Sequence, residues 1–334
     1  MKLRENTEII DLLKTFIRLG IAVVSAVTIP SLTLLPSTLA KPEIQHHSIF
    51  ISRSNTVNFI IQPQFDEVGD FSGGFAPVRI GSKWGFINKN GQFKIKPQFD
   101  FAGNFSEGLA AVTIDKKSGF INNQGQIVIK PQFDDVRKFS EGLAAVSVQG
   151  IAGLSANGKY GYINKQGQFI IKPLFGAAGE FSEGLAPVRV IGESYGYINR
   201  SNQMVIKPQF YDAYSFHEGL ASVRRGYINK KGQIVIKLSN YTNSFSEGLA
   251  AVQTSDKWGY INKQNKFVIK PQFDAAADFS EGLAAVQINS KMAYINKRGF
   301  TIIMPQFNSA GDFTEGLAAV QIGNKWGYIR NPLM

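Results

Sequence analysis

The 334-residue chain contains no cysteine. That excludes a disulfide framework, a thiolate metal site and a cysteine nucleophile, so the fold must be held by packing alone. Histidine is almost as scarce. Of three, His46 and His47 stand together near the N-terminus, and His217 has no second ligand near it in sequence, so no metal centre is expected. There is no phosphate-cradling glycine loop, no nucleophile elbow and no zinc signature. Nothing in the sequence calls for a cofactor. Long hydrophobic runs are also missing after residue 40. The apolar runs there are short, rich in Ile, Val, Phe and Tyr, and bounded by Gly, Pro and Asn, which argues against helix.

What the chain does have is repetition, together with 44% hydrophobic and 12% aromatic residues, enough for a sizeable core. A Phe opening Phe-Ser-Glu-Gly or a close variant falls at Phe71, Phe105, Phe139, Phe181, Phe216, Phe245, Phe279 and Phe313. The steps between them are 34, 34, 42, 35, 29, 34 and 34 residues. Eight tandem units from Val57 to the C-terminus overrule the two-domain expectation that length alone would give. A unit this small cannot bury its own apolar face, so residues common to all copies are expected to pack between copies. Function must then reside where the copies differ.

Three extended segments recur: Phe-x-Ile-Lys-Pro-Gln-Phe (Phe93 to Phe99), Leu-Ala-Ala-Val (Leu109 to Val112) and Gly-Tyr-Ile-Asn (Gly161 to Asn164). Asn-Lys-x-Gly turns, with Asn202 or Asn265 where Gly is missing, supply the positive φ of a tight hairpin. Ser-Glu-Gly is a further turn, and the piece ending at each repeat Phe is a candidate fourth strand. In the first segment the position two before Pro is Ile in every copy, and the intervening position is Ile60, Val128, Ile170, Val205, Val235, Val268 or Ile302, with Lys94 the polar exception. Apolar residues on both sides of one strand imply a sheet buried on both faces. The expected architecture is all-β and antiparallel: a β-propeller-like toroid, with an open β-superhelix as the alternative.

The repeating polar residues have structural and functional readings. Glu107, Glu141, Glu183, Glu218, Glu247, Glu281 and Glu315 occupy one equivalent position, whereas an enzyme needs different groups converging on one point, so a turn or inter-repeat pairing role is expected. Lys96, Lys130, Lys172, Lys207, Lys237 and Lys270 form a second ladder, either paired with nearby Asp100, Asp134 and Asp274 or serving as a track for an anionic partner. Trp84, Trp258 and Trp326, with Tyr160 and Tyr195, either pack between units or stack on a ligand. Insertions and deletions collect at the connection between Leu-Ala-Ala-Val and the next Gly-Tyr-Ile-Asn. Copy three gains eight residues there, copy four gains one, and copy five loses four between Val223 and Gly226. The longest tip, Gln149 to Gly158, offers Ile151 and Leu154 and is either a binding loop or tolerated drift.

Lys83-Trp84-Gly85, Lys257-Trp258-Gly259 and Lys325-Trp326-Gly327, flanked by the Phe-Ser-Glu-Gly-Leu and Ile-Lys-Pro-Gln-Phe blocks, resemble the bacterial WG (or KWG) repeat family over roughly residues 57 to 330. Elsewhere the Trp position is Ser118, Tyr160, Tyr195, Arg225 or Met292, and Ala293 replaces one Gly. The resemblance implies a repeat scaffold with no catalytic residues and no uniform function.

Residues 1 to 40 stand outside the array. Lys2, Arg4, Lys14 and Arg18 precede the apolar stretch Ile21 to Leu35, and Thr38-Leu39-Ala40 suits a signal peptidase, with an uncleaved membrane anchor as the alternative; residues 41 to 56 read as a linker. The whole chain carries +11, and loss of the segment, with four basic and three acidic residues, leaves +10. That charge either favours an anionic partner or keeps a glycine-rich β protein soluble. The reading is an exported, non-enzymatic binding or scaffold protein whose partner is a protein or an anionic cell-envelope component rather than nucleic acid. The alternative is a hydrolase or lyase in a propeller's central channel. N-terminal sequencing of the native protein is expected to return Lys41 as the first residue; a Met1 start would favour the anchor.

Overall fold

The computed structural model describes residues 57–148, 159–238 and 242–334. The signal-like segment, the linker and the tip carrying Ile151 and Leu154 lie outside them. Every regular element described is a strand, and none is a helix able to cross a membrane.

The first complete sheet shows how a unit folds. A two-residue inner strand, Glu67–Val68, is followed by Phe75–Ile80, Lys83–Asn88 and the outer strand Phe93–Phe99, each hydrogen-bonded antiparallel to the one before. The fourth strand is real but short, which is how four strands fit into about 34 residues. At the last turn Asn88 Oδ1 accepts from the backbone N–H of Asn90 (3.1 Å) and Gln92 (2.9 Å), while Gly91 takes up φ +78°. Asn202 and Asn265 adopt the same left-handed backbone in their copies. The Gly of the Trp-Gly pair has a different cause. The outer strand bulges at Lys96–Pro97 directly over Gly85, and a Cβ there would lie 2.5 Å from the Ile95 carbonyl oxygen. The seventh unit departs from this rule with buried Ala293.

Seven hydrogen-bonded sheets make the eight blades of a closed ring, because the long strand Phe169–Ala178 joins two successive blades into one seven-stranded sheet. The outer strand of the last blade comes from the start of the array: Phe59–Phe65 pairs with Lys325–Arg330, placing Phe59 opposite Ile329 and Phe65 opposite Trp326. Eight apolar clusters fill the eight junctions, each drawn from two successive blades. The closing cluster joins Ile61, Phe65, Phe71 and Val78 to Leu317, Ala319 and Tyr328. The toroid is therefore the architecture, and the open superhelix is set aside. Sequence repeat and structural blade are also out of phase by one strand.

The expectation that the first segment is buried on both faces is wrong. Its Ile two before Pro is buried, as in Ile95 and Ile129, but Val128 is 46% exposed and Ile170, Val205, Val235 and Val268 are exposed with it. The segment is the rim strand of its blade, so one face packs inward and the other meets solvent. Pro interrupts its hydrogen-bonding edge and the ladder lysines flank it, which discourages edge-to-edge pairing with other chains.

Shared residues do pack between copies. The buried Tyr of Gly-Tyr-Ile-Asn donates its hydroxyl to a backbone carbonyl of the next blade: Tyr162 to Gly179, Tyr260 to Ala277, Tyr328 to Gly69, each 2.8 Å. Ser106 Oγ donates to the Phe139 carbonyl of the next blade (2.7 Å). Each Glu of Ser-Glu-Gly sits at φ between 51° and 54°, an uncommon conformation for a residue with a Cβ. Its carboxylate accepts the N–H of the equivalent Gly one blade on, from Glu107 to Gly142 (3.1 Å) round to Glu315 and Gly74 (3.1 Å). Lys165, Lys230, Lys263 and Lys89 cover Glu107, Glu183, Glu218 and Glu315 at 3.0–3.1 Å. Burial pushes the Glu107 carboxyl up, but its bonds from Lys165 and Gly142 bring it below its ordinary value.

One junction lacks this link. Blade 1 carries Gly73 at the Glu position, and blade 2 carries Asn123 where the Lys would stand, so donor and acceptor are missing together. A Cβ on Gly73 would meet only the Phe105 Cβ, at 3.9 Å. Gly73→Glu alone is expected to lower stability, because its left-handed backbone costs about 1 kcal/mol in a residue with a Cβ. Adding Asn123→Lys should recover about 0.5–1 kcal/mol in a double-mutant cycle read by urea unfolding. Zero coupling would mean that the link has only a geometric role.

Candidate functional site

Most repeated candidates are absorbed by the scaffold. Trp84 is 8% exposed within the blade 1–2 cluster, and Trp258 and Trp326 pack at their own junctions, so the tryptophans are inter-unit packing residues. The pairing expected for the lysine ladder is not found. These carboxylates pair instead with the lysines that open the third strand of each blade: Lys83 reaches Asp100 and Lys117 reaches Asp134, each at 2.6 Å, and Lys257 reaches Asp274 at 2.5 Å. The reason is geometric. Ladder lysines lie on the solvent face of the rim strand, whereas the carboxylates sit just past its end, beside the next hairpin. Lys96, Lys130, Lys172, Lys207, Lys237 and Lys270 form no ion pair among the described residues.

Those carboxylates also hold the middle hairpins. Asp66 accepts the N–H of Gly81 (2.7 Å), Asp100 that of Asp115 (2.9 Å), Asp274 that of Asn289 (3.1 Å), and Asn308 that of Gly323 (3.0 Å). The hydrogen bond from Lys83 holds the Asp100 carboxyl below its ordinary value. At blade 5 both partners are absent: the hairpin is the one shortened by four residues, and the anchoring position is Tyr211. The result is a notch of about 510 Å³, lined by Tyr211, Asp212, Tyr214, Arg224, Gln253 and Asp256 among others. Tyr211 is 75% and Tyr214 56% exposed. The Arg224 guanidinium lies 4.5 Å from the centre of the Tyr211 ring, within cation–π range. One carboxylate oxygen of Asp212 is shielded from solvent and has no hydrogen-bond partner. Sequence reading singled out the long tip and passed over this place, although the deletion between Val223 and Gly226 and the replacement of Asp by Tyr211 were both visible.

A second non-repeating set surrounds the ring axis, at the residue before each repeat Phe. Asp70 and Asn104 bond each other, Asn104 Nδ2 donating to Asp70 Oδ2 at 3.2 Å, and Lys138 pairs with Glu180 at 3.3 Å. Asp278 and Asp312 complete the acidic side. Charges reach across blades here: Asp70 feels Lys138 and Asp278 feels His217 two blades away, and Asp312 feels Asp70 and Asp278 of the blades on either side of it. Burial pushes the Asp312 carboxyl up to about 6, and repulsion from Asp70 and Asp278 adds to it. Among the described residues no group of three or more His, Asp or Glu is placed to hold a metal ion.

A carboxyl raised above its unfolded value is bound to more protons in the folded state, so its contribution to stability is present at low pH and is lost as pH rises from about 4 through about 6. Asp312→Asn removes that penalty. The melting temperature of the variant is expected to exceed that of the parent by several degrees at pH 7.5 and to approach it at pH 4. A pH-independent difference would show that Asp312 ionises freely.

Comparison with known proteins bears on the scaffold. No curated protein matches the chain. Among solved structures it is similar to the computationally designed Ika8 protein, with a TM-score of 0.55 and 9% identity over 81% of this chain and 97% of that one. It is also similar to Saccharomyces cerevisiae Sqt1, with a TM-score of 0.50 and 12% identity over 84% of this chain and 100% of that one. At such identities the likeness is one of fold alone. The family model described as WG containing repeat matches residues 56–84, 84–117, 119–150, 160–192, 195–225, 226–258, 258–291 and 292–326. With eight matched repeats covering well over half of its length, the chain belongs to the WG-containing repeat family.

Proposed function

We propose that the protein is an exported, non-enzymatic recognition or scaffold module whose binding face is the one bearing the middle hairpins, centred on the blade 5–6 notch. The carrying observation is the joint loss at that place of the hairpin and of its anchoring carboxylate, which exposes Tyr211 and Tyr214 beside Arg224. The signal-like N-terminus supports export. The solvent-facing lysines, beside exposed valines on the rim, support an anionic partner or a partner with an anionic surface. The recurring glutamates, the natural candidates for acid–base chemistry, are taken up in blade-to-blade bonds.

A second reading, a hydrolase or lyase acting at the axis, draws on the Asp70, Asp278 and Asp312 cluster, since raised carboxyls converge in active sites. One shielded oxygen of Asp278 has no hydrogen-bond partner, but burial is the first cause of each of these shifts and Asn104 bonds Asp70 at 3.2 Å. Those features favour a structural cluster.

The test fills the notch. Arg224 and Arg225 are replaced by the six-residue connection Gln253 to Trp258 of blade 6, together with Tyr211→Asp. The regular hairpin and its anchor are thereby restored, so the melting temperature is expected to hold or rise. Capture of the partner from envelope extract should fall at least about tenfold, equivalent to roughly 1.4 kcal/mol. Undiminished capture would remove the notch from the binding face.

A further inference from the structure

Resting on that recognition reading, we propose that the notch is a carbohydrate site taking a neutral oligosaccharide. A sugar ring offers an apolar C–H face and a set of hydroxyls, each both donor and acceptor. Its complement is an exposed aromatic face beside mixed polar groups, and the notch supplies that combination. Tyr214 presents a ring that is more than half exposed, and Tyr211 is steadied on one side by Arg224. Gln253 brings an amide able both to donate and to accept, and its side chain makes no hydrogen bond among the described residues. Asp212 and Asp256 accept, Arg224 donates, and the shielded oxygen of Asp212 still lacks a donor. A volume of about 510 Å³ lies within the range of small-molecule sites.

The charges select against other ligands. One guanidinium stands against two carboxylates, which disfavours phosphates, sulfates and uronates. A cationic side chain would have to displace Arg224 from the Tyr211 ring or lie beside its like charge.

A second observation gives the ligand a length. On the other side of the inner strand Ala213–His217 lies a smaller cavity of about 280 Å³, lined by Tyr160, Tyr195, Arg137 and Glu180. It repeats the pairing of two tyrosines with an arginine and a carboxylate. Tyr160 donates its hydroxyl to Asp135 at 2.6 Å, which fixes its ring. Two such cavities flanking one strand suit a chain of several sugar units rather than a monosaccharide.

The experiment is calorimetric titration of the full chain with cellohexaose, chitohexaose and maltohexaose, with hexalysine and hexagalacturonate as charged probes. At least one neutral hexasaccharide is expected to bind, and Tyr214→Ala and Gln253→Ala should each weaken it at least about tenfold at unchanged melting temperature. Binding of no neutral sugar, equal binding to parent and variants, or binding of a charged probe alone would overturn the carbohydrate assignment. If the sugars fail while partner capture still depends on the open notch, the assignment falls and the recognition reading stands. If filling the notch changes neither, both fall.

Discussion

The junction between successive blades is the interaction on which the rest of the structure depends. A four-stranded blade with a two-residue inner strand has two apolar faces and nothing of its own to cover them, so each face is buried only by a neighbour. Phe of Phe-Ser-Glu-Gly meets the aromatic ring of Gly-Tyr-Ile-Asn across the junctions, Tyr in most blades and Phe86 or Phe120 in the first two; Tyr162 and Phe181, for example, have ring centres 4.8 Å apart. Polar groups caught in the junction are satisfied by the same neighbour: tyrosine hydroxyls, serine hydroxyls and glutamate carboxylates all bond to the next blade's backbone. A packed interface that also pairs its polar groups resists rearrangement, because any slip would leave those groups buried and unpaired.

Closure extends this constraint to the ends of the array. A linear stack would leave two terminal faces exposed. Here the strand Phe59–Phe65 completes the last blade, and Glu315 reaches Gly74 across 241 residues, so the last junction has the form of the others. The junction at Gly73 and Asn123 shows that two blades stay together without the glutamate link, held there by the apolar cluster and by the bonds between Asp70 and Asn104. The carboxylate–lysine pair is an addition: both halves are missing at Gly73 and Asn123, whereas Glu281 keeps its bond to Gly316 with Asn331 standing where the Lys would be.

A ring with this much internal regularity separates structural from functional positions. Any residue whose identity the junction dictates is unavailable for recognition, which disposes of the glutamate ladder and the tryptophans. The rim lysines form no ion pair among the described residues and accompany a Pro-interrupted edge, so their charge serves edge protection and is available to the anionic partner proposed above. The positions freed from repeat constraints fall in two places, the axis and the hairpin face. The axis gathers like charges at a cost in stability. The hairpin face offers exposed tyrosines, a guanidinium and unengaged polar groups at the one hairpin that the deletion removed.

The number of units, the all-β class, the turns of each unit and the assignment of shared residues to packing were legible in the sequence because all are local or periodic. Asn-Lys-x-Gly specifies a hairpin wherever it occurs, and seven equivalent glutamates cannot converge on one reacting atom. Three things were settled only by tertiary structure. Apolar residues on both sides of Phe-x-Ile-Lys-Pro-Gln-Phe suggest a two-faced core strand, yet a rim strand has only one neighbouring layer, and Val128 is left in solvent. Asp100 is four residues from Lys96 in the chain but bonds Lys83, because strand direction and not sequence separation decides which side chains meet. Tyr211, Tyr214 and Gln253 come from two blades more than thirty residues apart, and no periodicity announces that they share a cavity. Sequence determined what each blade is made of. Only closure of the ring decided which of its faces are covered and which residues of neighbouring blades are brought together.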